Sequence, residues 1–169
     1  MIIRVSDIQA EGLSITDEAA VLPAFTEEGW HLDRISLHLT RDGVDVLVQG
    51  EIGATVPQVC GRCVEPLQAR VRAEVDVRVA PRPATGDTVE LAPDDLDTYF
   101  YAGDQLHLSA LIETETTLAL PMKPLCRADC RGLCPVCGGN RNVSVCACPE
   151  RPPDPRLAVL KDLAARLSR

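Results

Sequence analysis

Six cysteines fall within the 23 residues from Cys126 to Cys148, spaced Cys126-x3-Cys130-x3-Cys134-x2-Cys137-x8-Cys146-x-Cys148. Two more, Cys60 and Cys63, form a C-x2-C pair far upstream. Thiolates held two or three residues apart can grip one tetrahedral soft cation from a single tight turn. In Cys134-Pro135-Val136-Cys137-Gly138-Gly139 the glycines permit a left-handed backbone that turns amides towards sulfur, as in half of a zinc ribbon. A metal therefore constrains this chain before any other feature does.

The rest of the composition decides between metal and disulfide. The first residues, Met1-Ile2-Ile3-Arg4-Val5-Ser6-Asp7, carry no long apolar stretch and no small-residue cleavage site, which argues against a secretory signal. Nothing in the 169 residues approaches the length of a membrane span. The expected location is the cytoplasm, where a reducing environment disfavours eight cysteines paired as disulfides. Zinc is the expected cofactor, one or two ions each held by four thiolates. A set of thiolates alone leaves no open coordination position, so the metal is expected to be structural.

Spacing also proposes a partition. Cys134, Cys137, Cys146 and Cys148 lie within 15 residues, so closing a site from them loses little loop entropy. Cys60 and Cys63 would then join Cys126 and Cys130, stapling the upstream strands to the tail. The rival partition pairs the two C-x2-C turns as a split ribbon. Few apolar residues lie between Arg127 and Arg151, so this stretch cannot order itself by burial. Structural zinc contributes roughly 10–16 kcal/mol in small finger peptides, enough to order a segment this short.

The formal charge is −8, yet it is unevenly distributed. Residues 1–120 hold 8 basic and 21 acidic side chains, whereas residues 121–169 hold 9 basic and 4 acidic. The cysteine-rich end is thus locally basic and could approach phosphate, with Lys123, Arg127, Arg131 and Arg141 as candidate RNA contacts.

Periodicity indicates an α+β fold, an antiparallel β-rich body with one or two helices and a cysteine-rich zinc-binding C-terminal segment. The expected division is a body over 1–120 and the cysteine segment with a final helix over 121–169. Ile35, Leu37 and Leu39 alternate with polar residues, and Arg41-Asp42-Gly43 supplies a turn before Val44, Val46 and Val48. Ile52, Ala54 and Val56 continue past Gly50 through a bulge or bend. Val71, Ala73, Val75, Val77 and Val79 form the cleanest alternation, and Cys60–Cys63 falls in the loop before them. Residues 80–97 read as an acidic loop, and Thr98 to Tyr101 as a short strand. Leu108, Leu111, Ile112, Leu118 and Ala119 follow helical spacing, with Ser109 as N-cap and Pro121 as stop. A last helix is expected from Asp154 as N-cap and Pro155 as first residue, with Leu157, Leu160, Ala164 and Leu167 on one face.

No catalytic set can be assembled. His31, His38 and His107 are scattered, no serine motif accompanies them, and no Gly-rich phosphate loop is present. With an aromatic content of only 3%, stacking on RNA bases is not an obvious mode of contact either. No enzyme and no small-molecule substrate are expected.

Taken together, Leu120-Pro121-Met122-Lys123-Pro124-Leu125-Cys126, Cys130-Arg131-Gly132-Leu133-Cys134-Pro135-Val136-Cys137-Gly138, Asn142, Cys146, Cys148 and Asp154-Pro155-Arg156-Leu157 resemble one family. It is the YceD-like family of large ribosomal RNA subunit accumulation proteins, and Cys60-Gly61-Arg62-Cys63-Val64-Glu65-Pro66 is similar to its upstream segment. The resemblance implies a non-catalytic ribosome-biogenesis factor that supports accumulation or processing of the large-subunit ribosomal RNA. Its partners would be that RNA's precursor or a large-subunit ribosomal protein. A redox-regulated zinc chaperone and a zinc-ribbon transcription-type adaptor are the alternatives.

Overall fold

The computed structural model describes residues 1–16, 24–83 and 98–149, together with 154, 156 and 160. The chain divides into two compact units: Met1–Gln58 with Leu67–Pro124, and Val59–Pro66 with Leu125–Arg169.

The first unit is strand-rich with one helix. Its strands are β1 (Ile2–Arg4), β2 (Leu13–Thr16), β3 (His31–Asp42), β4 (Asp45–Val59), β5 (Pro66–Pro81), β6 (Thr98–Tyr101) and β7 (Gln105–His107). Helix α1 covers Leu108–Leu118. A five-stranded sheet has the order β2-β3-β4-β5-β6, and β1 and β7 form a separate antiparallel pair. Alternation sets the faces of the long strands, as expected from a period of two. Ile35, Leu37, Leu39, Val46, Val48, Ile52, Ala73, Val75 and Val79 are all buried in one core. On the other face, Arg72 pairs with Glu51, Arg78 with Asp45, and Gln49 with Asp76 at 3.0 Å. Along β4 those partners descend as they ascend along β5, so the two strands run antiparallel.

Several expectations change in detail. Strand β6 joins β5 in parallel, Arg78 opposite Thr98 and Pro81 opposite Tyr101, so the sheet is mixed rather than wholly antiparallel. Strands β1, β2 and β7 had no alternation long enough to announce them. Val44 sits in the β3–β4 turn, 62% exposed, because Asp42 pairs directly with Asp45. Gly50 causes no break: the register passes through it, and the irregularity lies on β3 between Leu32 and Arg34. Gly50 is required for a different reason. Its φ is +146°, and a Cβ there would stand 1.9 Å from the Ser36 carbonyl oxygen.

Helix α1 starts two residues earlier than a Ser109 cap would place it, with His107 at the N-cap position. Strand β7 runs straight into it, and Ser109 lies in the first turn, its amide donating to the Met1 carbonyl at 3.3 Å instead of its hydroxyl capping. Leu108, Leu111, Ile112 and Thr116 face the core, whereas Leu118 is 71% exposed. The steps 108–112–116 hold one face at 3.6 residues per turn; Leu118, seven residues after Leu111, is the last residue of the helix. Glu115, which interrupts the apolar stripe, accepts a hydrogen bond from the Tyr99 hydroxyl at 2.6 Å. That bond, together with burial, holds the Tyr99 phenol well above its usual pKa.

The acidic stretch from 84 to 97 and most of the residues expected to form a C-terminal helix lie outside the described residues. Of that helix, Asp154 Oδ1 accepts the Arg156 amide at 2.9 Å, as a capping aspartate would, and Leu160 is helical. No helix among the described residues is long and apolar enough to cross a membrane.

Candidate metal centres

Both cysteine groups belong wholly to the second unit, which includes the turn joining β4 to β5. Two C-x2-C turns carry them, and their backbones are near copies. In the first, the Val64 amide donates to the Cys60 carbonyl at 2.9 Å, and the Cys60 amide to the Glu65 carbonyl at 2.9 Å. In the second, Gly138 donates to Cys134 at 2.9 Å, and Cys134 to Gly139 at 2.8 Å. The residue after the second cysteine has a left-handed backbone in each, φ +63° at Val64 and +71° at Gly138. This reversal aims amides at the leading sulfur. Arg62 and Cys63 face Cys60; Val136 and Cys137 face Cys134.

Those turns assemble the sulfurs into two fours: Cys60, Cys63, Cys126 and Cys130, and Cys134, Cys137, Cys146 and Cys148, each within 4.8 Å of one another. The grouping is the one that favours short loop closure. It is not the split ribbon. In the first group Cys60 and Cys130 stand 3.8 Å apart and Cys63 and Cys126 3.7 Å. Four sulfurs at about 2.3 Å from a tetrahedral ion would themselves be separated by about 3.8 Å, so the cage fits a dication of that size. Bonded sulfurs would stand at about 2.05 Å, and all eight cysteines are free. Each group could hold a metal ion.

The electrostatics suit cation capture. The amides of Cys126, Cys63 and Arg62 bring Cys60 down to about 6. The amides of Cys137 and Val136, helped by the Cys146 thiol, do the same for Cys134, also to about 6. Other thiols resist ionisation: Cys63 and Cys126 in the first four, and Cys148 in the second, are all held above the usual thiol range. Desolvation and its neighbour Cys130 push Cys126 up to about 12, although the residue as a whole is exposed. Cys148 is pushed up to about 12 by its hydrogen bond with Cys137 and by burial. Four anionic sulfurs in one cage repel each other, and a dication is the group that relieves this.

Polar side chains outside the cysteines complete the first cage. Asn142 Nδ2 donates to Cys130 Sγ at 3.3 Å, and Arg62 donates to the Cys130 carbonyl at 2.9 Å. Asn140 Nδ2 reaches Glu65 Oε1 at 3.1 Å. Gly132, at φ +69°, lies so near the Arg62 carbonyl that a Cβ would stand 2.9 Å from it. Asn142 stands among the residues that carry the family resemblance, but with no role attached; Asn140 has only its place between Cys137 and Cys146, in a loop that has no apolar reason to order.

The candidate RNA contacts divide between the two units. Lys123 is exposed and belongs to the first unit. Arg127, Arg131 and Arg141 are exposed in the second. Arg127 is engaged with Asn142 Oδ1 at 2.9 Å and Asp129 at 3.4 Å. Arg131 and Arg141 line one concavity with Val145, and neither guanidinium has an acidic partner among the described residues. The histidines hold one surprise: His38 Nδ1 shares a hydrogen bond with Ser14 Oγ at 3.0 Å across β2 and β3. Both side chains lie on an exposed strand surface rather than in a cleft.

Comparison with known proteins gives a consistent picture. The family described as large ribosomal RNA subunit accumulation protein YceD matches residues 48–164. An uncharacterized protein of Mycobacterium bovis is 31% identical over 145 residues, which is 81% of this chain and 64% of the relative. An uncharacterized protein of Mycobacterium tuberculosis matches to the same extent. One from Mycobacterium leprae is 33% identical over 134 residues, 78% of this chain and 59% of the relative. The chain thus spans less than two thirds of the length of these relatives. No solved structure matches.

Proposed function

The chain belongs to the YceD family, and from that premise we propose that it is a non-catalytic assembly factor for the large ribosomal subunit. It acts in the cytoplasm and supports accumulation or processing of the large-subunit ribosomal RNA. Two zinc ions, each on four cysteine thiolates, make its second unit rigid. That unit meets the RNA precursor through phosphate, or sits on a large-subunit ribosomal protein.

The observation that carries the reading is the pair of four-sulfur cages in one unit, with an arginine concavity that has no acidic partner among the described residues. Zinc is favoured over harder cations because thiolates are soft ligands, and the short, closed cages leave no room for a reacting water. Arg131 and Arg141 offer planar donors suited to phosphate oxygens, with no carboxylate partner among the described residues to release first. Such contacts position a protein on RNA without reading its sequence, which suits a factor poor in aromatic residues.

The test is depletion of the tagged protein followed by gradient sedimentation. It should travel with large-subunit precursors, and their RNA should decline on its loss. A protein that stays at the top of the gradient while RNA levels hold would sink the assembly reading. The zinc chaperone alternative draws on the exposure of Cys137 and the half-exposure of Cys146 and Cys148. It requires chaperone activity that appears only after oxidation and metal release.

A further inference from the structure

Asn142 stands at the junction of the two sulfur groups. In sequence it lies inside the loop that the second group closes, between Cys137 and Cys146. Its side chain is directed to the first group. Nδ2 donates to Cys130 Sγ at 3.3 Å. Oδ1 accepts the Arg131 amide at 2.8 Å and the Arg127 guanidinium at 2.9 Å, the residues that flank Cys130 on either side. Two N–H donors on the oxygen fix the amide's orientation, since the flipped form would set donor against donor and carbonyl against thiolate.

The loop itself is braced in the same direction. The Asn142 amide donates to Asn140 Oδ1 at 3.0 Å, and Asn140 Nδ2 to Glu65 Oε1 at 3.1 Å, two residues after Cys63. Arg141 donates to the Gly132 carbonyl at 2.9 Å, and Leu133 to the Arg62 carbonyl at 3.0 Å. Nothing apolar holds this loop down: Val143 is 82% exposed and Val145 87%. Ordering about eight residues without burial opposes folding by several kcal/mol. The four sulfurs of the second group are the feature that can close the loop.

We infer that Asn142 couples the two metal centres, so that filling the Cys134 group raises the affinity of the Cys60 group. This rests on the reading of both groups as metal sites. A metal on the second group orders the loop, the ordered loop presents the Asn142 amide to Cys130, and that hydrogen bond supports the charge of a ligating thiolate. Outer hydrogen bonds of this kind are worth about 10- to 100-fold in metal affinity. Linkage makes the coupling reciprocal, so metal on the first group tightens the second by the same factor. Asn142 is a positioning residue, and it is not a ligand.

The experiment uses the full chain, titrated with cobalt(II) under a competing chelator and followed by the thiolate-to-cobalt absorption of each site. Cys146→Ser with Cys148→Ser removes the second site. The first site should then bind about 10- to 100-fold more weakly than in the unaltered chain. Asn142→Ala should weaken the first site by a similar factor while the second still fills. Combined, the changes should lose no more than one of them does, the mark of a shared pathway. Asn142→Asp keeps the acceptor oxygen and replaces the donor, so it should weaken the first site at least as far as alanine does. Circular dichroism of the strands, unchanged throughout, shows that the variants fold. An unaltered first-site affinity after loss of the second site overturns the coupling, and so do additive losses. If the unaltered chain takes up no cobalt with thiolate absorption, both the metal reading and the coupling fall.

Discussion

The two C-x2-C turns have one backbone and two environments. Around Cys60 the sulfurs are withdrawn: three of the four cysteines are buried, and Asn142 and Arg62 brace Cys130. Around Cys134 only one cysteine is buried, while Cys137 is exposed and Cys146 and Cys148 are half-exposed. The shared part is set by chemistry, because two amides can face the leading sulfur only if the chain reverses after the second cysteine. The differing part is set by sequence distance. The first group collects ligands from segments 63 residues apart or more and is covered by what it joins. The second is built from one short loop and has little to cover it.

Removing metal tests this contrast most severely. Chelation should abolish the order of the second unit, a loss on the scale of the roughly 10–16 kcal/mol that zinc supplies in finger peptides. Hydrogen exchange should show the Val64 and Gly138 amides losing protection while the central amides of β3 and β4 keep theirs. Equal protection of both regions after chelation would break the distinction.

Next in size are the leading cysteines. Cys60→Ser and Cys134→Ser should each lose about one equivalent of zinc, and different ones, as read by elemental analysis of the purified variants. Loss of the same ion from both would mean that the groups are not separate. In the unaltered protein, a chromogenic chelator should strip the second group first, about tenfold faster, because its thiols reach solvent.

The smallest effects concern the left-handed residue. Gly138→Val should cost about 1–3 kcal/mol, all of it from the backbone, since a Cβ there meets nothing within 4 Å. Val64 already carries that strain, being β-branched at φ +63° and 62% exposed. Val64→Gly should therefore raise the melting temperature of the zinc-loaded protein slightly. The gain is smaller than the cost of the reverse change because glycine also loosens the unfolded chain by about 0.4–1 kcal/mol. A drop in stability would show that the valine side chain contributes more than its exposure implies.

Legibility followed the length of the signal. The ten-residue alternation from Arg70 to Val79 placed β5 and its buried face, and the valines named there are buried or half-buried. The three- and four-residue strands β1, β2 and β7 were invisible because a pair of alternations carries no information above chance. Thr116 is buried because it lies one turn after Ile112, a position that spacing fixes whatever the hydropathy, while Leu118 is the final residue of the helix and stays exposed. In the candidate sites, all eight cysteines could be named in advance, but Asn140 and Asn142 could not be given a task. Asn142 belonged to the motif that carries the resemblance, but its task became visible only with a sulfur 3.3 Å from its amide.

By itself the sequence determined which eight residues are soft ligands and that four of them form C-x2-C turns, because thiolate spacing within a turn is a local property of the backbone. It also determined which face of each long strand is oily, since period two needs only the strand itself. Tertiary structure decided between the two partitions that spacing left open, joining Cys60 and Cys63 to Cys126 and Cys130, and it alone decided that β6 lies parallel to β5 and that a loop asparagine serves the neighbouring cage. Each of these joins residues far apart in the chain, where local spacing exerts no force and only the folded backbone fixes the distance.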